Sequence, residues 1–311
     1  MRSISDEEVE TFWRDGVVCL RGAVSTEWVE LVARSMEDWL ASPQRFDLTQ
    51  YGEDVAPSQR ARRPPGHSAG GSIAGRFYSG TDSWRHFAGL RRFACESPLP
   101  GLVAALLRTN KVNLYEDSIL IKEPGTPDKT YFHQDISYFH VEGEQICTSW
   151  LPVDAVNESN GGLQFIKGSH RWGKEYRPNH FVTDLPMDGT DGEVVPDFHA
   201  DRRGRVILQF DMQPGDLTVH HCRTLHGAPA NESPTLRRRA LSVRYCGADA
   251  RYRIRRGVPQ KPHHAAVRDG DVLDHPDCPV VWSAPQGGPV ADREVRSLLT
   301  RRGRRSAPSR P

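Results

Sequence analysis

What this chain lacks narrows its function before any motif is considered. There is no Cys-x-x-Cys pair among Cys19, Cys95, Cys147, Cys222, Cys246 and Cys278. Neither a disulfide framework nor a zinc cluster is therefore expected, and the thiols are expected to stay reduced in a cytosol. No apolar run approaches the roughly 18 residues of a membrane span. The first residues, MRSISDEEVETFW, are acidic and amphipathic rather than a positive and then apolar signal. A cytoplasmic protein with no membrane partner is the expectation. The formal net charge of +1 lacks the one-sided excess that general nucleic-acid binding needs. Gly70-Gly71 and Gly75 have no following Gly-Lys-Ser/Thr, so they form no phosphate loop. Lysine supplies only 6 of the 41 basic residues, so arginine is common throughout and a single Arg needs positional support before it is given a role.

What is there fits a mainly β protein with flanking α-helices. Ser5-Asp6-Glu7-Glu8 is a capping box, with Ile4 and Val9 spaced as a hydrophobic staple. It predicts a short helix through Phe12 and Trp13 that stops near Gly16. Val17 to Leu20 reads as a strand, and Ser25 caps a second helix with Trp28, Val32, Met36 and Trp39 on one face. The Pro/Gly/Ser-rich stretch 52–75 is a mobile lid or a disordered insertion. Trp84 to Leu90 and Pro98 to Leu107 are predicted helical. From Val112 on, short β-rich runs separated by Gly/Pro turns predict a sandwich or barrel: the runs through Lys122, His133, Val153, Ile166, Phe210, His221 and Tyr245. A polar insertion between His170 and Arg205 shows no periodicity, and the pattern weakens after about residue 255. The expected organisation is one domain over 1–295, with N-terminal helices in 5–50 and the β core in 111–250. A disordered basic tail over 296–311 follows.

His133 and Asp135, two residues apart on an extended segment, point to one side because strand side chains alternate. With an imidazole from elsewhere they would make a 2-His-1-carboxylate face, which suits Fe(II) with open positions. Pro214-Gly215-Asp216 starts a strand, Leu217 to Cys222, and His226 sits where that strand would end. Gly227 would let the chain turn away beside a metal. His220 shares the face of His226 if the strand is regular, and His221 lies on the other; either could support a ligand from behind, but packed or exposed roles are expected for both.

Six motifs now stand in order: YFHQD, W-x-P-V-D (Trp150 to Asp154), N-G-G-L (Asn160 to Leu163), G-S-H (Gly168 to His170), P-G-D and H-G-x-x-x-N (His226 to Asn231). Together they resemble the phytanoyl-CoA dioxygenase-like family of Fe(II)- and 2-oxoglutarate-dependent oxygenases, over about three quarters of the chain. The resemblance implies a double-stranded β-helix, a jelly-roll or cupin-like core. It makes His133, Asp135 and His226 both the iron ligands and the catalytic centre, with 2-oxoglutarate as cosubstrate and O₂ as oxidant.

It also implies an Arg about eleven residues beyond the last His, to pair with the far carboxylate of 2-oxoglutarate. Counting from His226 reaches Arg237, whereas the register of the strand Ala240-Leu241-Ser242-Val243 points to Arg238. Strand register is the stronger guide, because loops tolerate insertions; Arg238 is preferred and Arg237 is second. Trp150 and Ser118 match positions lining the cosubstrate pocket, and Ala228 stands where the family has a small polar residue. The implied reaction is hydroxylation or another oxidation of a small molecule, in secondary metabolism among other settings, with release of succinate and CO₂. Asp135 argues against a halogenase, in whose relatives a small residue replaces the carboxylate. The alternatives are a cupin-like metal enzyme without 2-oxoglutarate and a non-catalytic jelly-roll binding protein.

Overall fold

Residues 2–56 and 75–285 are described by the computed structural model. The capping box forms as its spacing predicts: the Ser5 hydroxyl accepts the Glu8 N–H, and the Glu8 carboxylate accepts the Ser5 N–H. Helix α1 (Asp6–Asp15) stops at Gly16, whose φ of 83° is left-handed. A Cβ at Gly16 would come within 2.6 Å of Thr224 Oγ1, and the Thr224 hydroxyl donates to the Gly16 carbonyl at 2.8 Å. The helix stop is thus tied to the loop that leads into His226. Strand β1 (Val17–Leu20) and helix α2 (Thr26–Leu40) follow. Ser25 stands at the head of α2 as expected, but its hydroxyl donates to the Glu27 side chain and caps no amide.

Strand β2 (Phe46–Asp47), helix α3 (Leu48–Val55) and strand β3 (Phe77–Thr81) come next. The lid expected over 52–75 lies outside the described residues beyond residue 56, as does the basic tail. The helix expected over Trp84 to Leu90 is displaced. Ser83–Arg85 is a 3₁₀ turn, Phe87 is extended, and α4 spans Ala88–Glu96. The three-residue spacing of Trp84, Phe87 and Leu90 suits a 3₁₀ turn followed by a new helix as well as one continuous helix. Helix α5 (Leu99–Leu107) forms where it was expected.

The remaining strands are β4 (Lys111–Lys122), β5 (Thr130–His133), β6 (Val141–Glu142), β7 (Ile146–Pro152) and β8 (Gln164–Ile166). They continue with β9 (Ile207–Gln209), β10 (Leu217–His221), β11 (His226–Ala228), β12 (Arg238–Cys246), β13 (Arg251–Tyr252) and β14 (Val280–Ser283). A large antiparallel sheet runs β1-β10-β7-β12-β4-β3-β2, and a smaller one runs β5-β11-β8-β9. This is the expected jelly-roll. Strand β14, unannounced by the weak pattern after residue 255, pairs with β4.

Alternation on the large sheet decides what faces the helices and what faces inward. Leu241, Val243 and Tyr245 of β12, Ile119 and Ile121 of β4, and Val219 of β10 pack against Phe12, Val32, Met36, Trp39 and Phe93 of the helices. Each such fully buried side chain stabilises by about 1.5–3 kcal/mol relative to exposure. The alternate residues, Arg238, Ala240, Ser242 and Arg244 of β12, are left to face the other sheet. A bulge between Arg244 and Tyr245 shifts the β12–β4 register, the kind of irregularity that re-aims a side chain beside a site.

Asp117, on the helix-covered face of β4, is fully buried, and burial pushes its carboxyl up to about 7 from 3.8. Between about pH 4 and 7 the folded state therefore keeps a proton that the unfolded chain has lost, so stability falls as pH rises through that window. Asp117→Asn is expected to change stability little at pH 4 and to raise it by roughly 2–4 kcal/mol at pH 8. Urea unfolding at the two pH values measures this, and equal effects at both would refute it.

Candidate active site

Strands β5 and β11 are neighbours in the small sheet, and their register sets His226 opposite His133, with ring centroids 4.3 Å apart. Each Nδ1 bonds a carbonyl two residues back: His133 to Tyr131 O at 2.8 Å and His226 to Thr224 O at 2.9 Å. A carbonyl only accepts, so Nδ1 carries the proton and both Nε2 lone pairs turn inward. Gln134 extends the backbone one residue past β5, and Asp135 opens a 3₁₀ turn (Asp135–Tyr138). Asp135 Oδ1 then lies 3.7 Å from Nε2 of His133 and 3.7 Å from Nε2 of His226. That is too long for hydrogen bonds and is the spacing of donors around one ion. The three ligand atoms lie within 4.8 Å of one another, and all three residues are buried.

His226 arrives differently from the expectation. The strand from Leu217 ends at His221, the chain turns with Thr224 N–H on the His221 carbonyl at 2.8 Å, and His226 opens β11 in the other sheet. Nor does Gly227 turn the chain away; it lets β11 lie close to β5, where a Cβ would meet Thr130 O at 2.7 Å.

Burial keeps His226 neutral, its pKa held well below the ordinary value by desolvation and by the neighbouring His220 and His133. Burial alone would raise Asp135, but the polar surroundings made by His226, His133 and His220, together with the field of Arg244, outweigh it and hold the carboxyl well below the usual range. The second carboxylate oxygen is occupied: the Thr148 hydroxyl donates to Oδ2, and His220 Nε2 approaches it at 3.3 Å. His220 thus takes the less expected of its two roles and supports a candidate ligand. Thr148 went unnoticed, although it shares the inward face of β7 with Trp150 and alternation could have found it.

Of the three consecutive arginines, only Arg238 points inward. Its guanidinium is 1% exposed, donates to Leu120 O at 3.2 Å, and sits 5.7 Å from the Trp150 ring and 5.9 Å from Phe77. Its Nε has no partner, and burial draws its pKa down to about 9, so it stays charged at neutral pH. Arg237 faces out to Glu123 and Glu37, and Arg239 to Asp154 and Glu37.

Arg238, Trp150 and the His-Asp-His group share the wall of one cavity of about 20 Å³. Ser118 lies behind that wall, accepting a hydrogen bond from Arg244 and paired with Ser242 across the sheet. Ala228 offers no polar atom, while Thr130, its partner across the ladder, lines the cavity. Phe181, from the insertion without periodicity, covers His133 with ring centroids 5.1 Å apart and has a left-handed φ of 66°.

The chain is similar to known proteins along most of its length. The family model described as phytanoyl-CoA dioxygenase matches residues 12–240. A probable alpha-ketoglutarate-dependent hypophosphite dioxygenase of Stutzerimonas stutzeri is 32% identical over 152 residues, 45% of this chain and 46% of that protein. The alignment thus spans less than half of either. The ectoine dioxygenase of Bordetella bronchiseptica is 25% identical over 280 residues, 86% of this chain and 83% of that protein. Among solved structures, the non-haem alpha-ketoglutarate-dependent carbocyclase SnoK from nogalamycin biosynthesis shares the fold with a TM-score of 0.64. It is 22% identical, with 89% of this chain and 96% of that one covered.

Removing the Thr148 hydroxyl frees Asp135 Oδ2 and loosens the carboxylate. Thr148→Val is expected to weaken binding of a divalent ion by about ten- to a hundred-fold, read from the midpoint of an anaerobic Fe(II) or Co(II) titration. Unchanged affinity would remove Thr148 from the site.

Proposed function

The chain belongs to the phytanoyl-CoA dioxygenase family, and on that premise we propose that its cavity oxidises a small molecule, with hydroxylation as the default outcome. It is a non-haem Fe(II)- and 2-oxoglutarate-dependent dioxygenase; the assignment of residues to that chemistry is our reading. His133, Asp135 and His226 would hold the iron. Two neutral imidazoles and one carboxylate leave a residual positive charge on such an ion and leave its other side open for an anionic chelator and O₂. Iron held there would activate O₂, the oxidant, so that one oxygen atom enters the substrate C–H bond and the other enters succinate as 2-oxoglutarate loses CO₂.

The observation that carries this reading is Arg238. Among the described residues no carboxylate lies within ion-pair distance of its guanidinium, and a buried cation without a counter-ion is costly. A dicarboxylate spanning from the iron to Arg238 would relieve that cost, because a guanidinium matches a carboxylate with two parallel hydrogen bonds. A cupin-like enzyme that uses no 2-oxoglutarate would have no use for such an arginine. Trp150 and Phe77 flank the guanidinium and keep water away, which strengthens the pairing. Thr148 and His220 fix the orientation of Asp135 from behind. A cavity of about 20 Å³ holds no more than a water or so, so entry of cosubstrate moves the wall. Phe181 is the candidate gate, since its backbone conformation stores about 1–3 kcal/mol of strain.

Relatives are named for hypophosphite and ectoine, which supports a small substrate over a polymer; a secondary metabolite is one such class. All six cysteines are free thiols, which fits a reducing cytoplasm. No helix among the described residues is long and apolar enough to cross a membrane.

Arg238→Ala is expected to weaken 2-oxoglutarate binding by about a hundred-fold or more, whereas Arg237→Ala leaves it within about two-fold. Anaerobic titration of the Fe(II) protein, followed by the visible charge-transfer band of the chelate, measures both. The reverse ranking would assign the cosubstrate to Arg237, and absence of the band in the wild type would sink the reading.

A further inference from the structure

Outside the lining of the cavity, the segment between residues 261 and 278 gathers a second group of ligand-type side chains. His263 lies in a 3₁₀ turn (Pro262–Ala266), and His275 and Asp277 lie in the loop before β14. One ligand atom from each of the three lies within 4.8 Å of the others, the same spacing that describes the buried His133, Asp135 and His226 group. Asp277 Oδ2 is 3.7 Å from His263 Nδ1 and 3.3 Å from His275 Nδ1. Donors about 2.0–2.1 Å from a shared ion stand roughly 3.3 Å apart in a tetrahedral site.

Hydrogen bonding does not account for this arrangement. His263 is only 8% exposed, yet its Nε2 is buried with no partner and its Nδ1 stops beyond hydrogen-bond reach of Asp277. The Nδ1 lone pair that faces Asp277 is therefore not spent on a hydrogen bond to it. His275 Nδ1 accepts the Asp277 N–H at 3.1 Å, so it carries no proton to share with the carboxylate beside it. Two electron-rich atoms thus face each other at 3.3 Å. Arg85 pairs with Asp277 Oδ1 and donates to its carbonyl at 2.9 Å. That pins the carboxylate with Oδ2 turned to the imidazoles.

We propose that His263, His275 and Asp277 form a second divalent-cation site, for a borderline ion such as Zn(II), separate from the iron centre. Two imidazoles and one carboxylate suit Zn(II) over Mg(II) or Ca(II), which prefer all-oxygen sets. Water completes the coordination, since His275 and Asp277 are part-exposed, 29% and 34% at their side chains. Capture exchanges the hydrogen bond at His275 Nδ1 for a coordinate bond. The ion clamps the loop before β14 to the turn at 262–266, and so secures the strand that pairs with β4.

The test is zinc stoichiometry of the untagged, metal-stripped full chain, by equilibrium dialysis and elemental analysis. The wild type is expected to bind two zinc ions, His275→Ala one, and His133→Ala/His226→Ala one. Adding His275→Ala to that last variant is expected to leave none. His275 is exposed enough for its replacement to spare the fold, and thermal melting by circular dichroism verifies that. A His275→Ala chain that still binds two ions, or a His133→Ala/His226→Ala chain that binds none, overturns the proposal. In that same cavity-site variant, Co(II) is expected to give the intense visible bands of a four-coordinate ion, and their absence overturns it equally.

Discussion

A carboxylate sunk between two sheets is the constraint on which this molecule depends. Asp135 is 3% exposed, and a buried charge must be met on every side or it will be neutralised. Its Oδ2 is met by Thr148 from β7 and by His220 from β10, both on the large sheet. Its Oδ1 is left facing two imidazoles from the small sheet. The two sheets are therefore joined through one side chain, and the open edge of that junction is where a positive ion is wanted. The surrounding structure follows from holding this geometry. Register aligns His133 with His226, carbonyls fix both tautomers, and α1 braces the loop carrying Thr224.

Alternation along β12 links fold stability to chemistry in one strand. Leu241, Val243 and Tyr245 belong to the core under the helices, while Arg238, Ser242 and Arg244 face the cavity. The apolar half supplies the burial that keeps the strand in place. The polar half can then be held inside, where a guanidinium would otherwise be too costly to keep.

Much of this was legible in the sequence, and the reasons differ by element. The capping box, the strand runs and the order of the six motifs are local signals, and each led to the right element. The inward direction of Arg238 was legible because strand period is rigid while loop length is not. His226 was identified, but its strand was mistaken, since nothing local distinguishes a strand end from a turn into another sheet. The helix near Trp84 slipped for a similar reason, because a three-residue spacing is ambiguous. Phe181 and the support from His220 depend on contacts between residues far apart in the chain, which no local period encodes. Ser118 had the right strand but stands behind Arg244, one layer from the cavity. That shift comes from packing depth, which a linear pattern does not carry.

The run Arg237-Arg238-Arg239 has one more implication. Three identical residues at the head of a strand invite slippage, because a one-residue shift would still bring a guanidinium inward. The outward pair prevents it. Arg237 and Arg239 both engage Glu37 on α2, and each is also anchored at its own base, Glu123 or Asp154. A slipped strand would have to give up those ion pairs together. The repeated arginine thus behaves like a ratchet tooth between two pawls: the redundancy that blurs the sequence also locks the register.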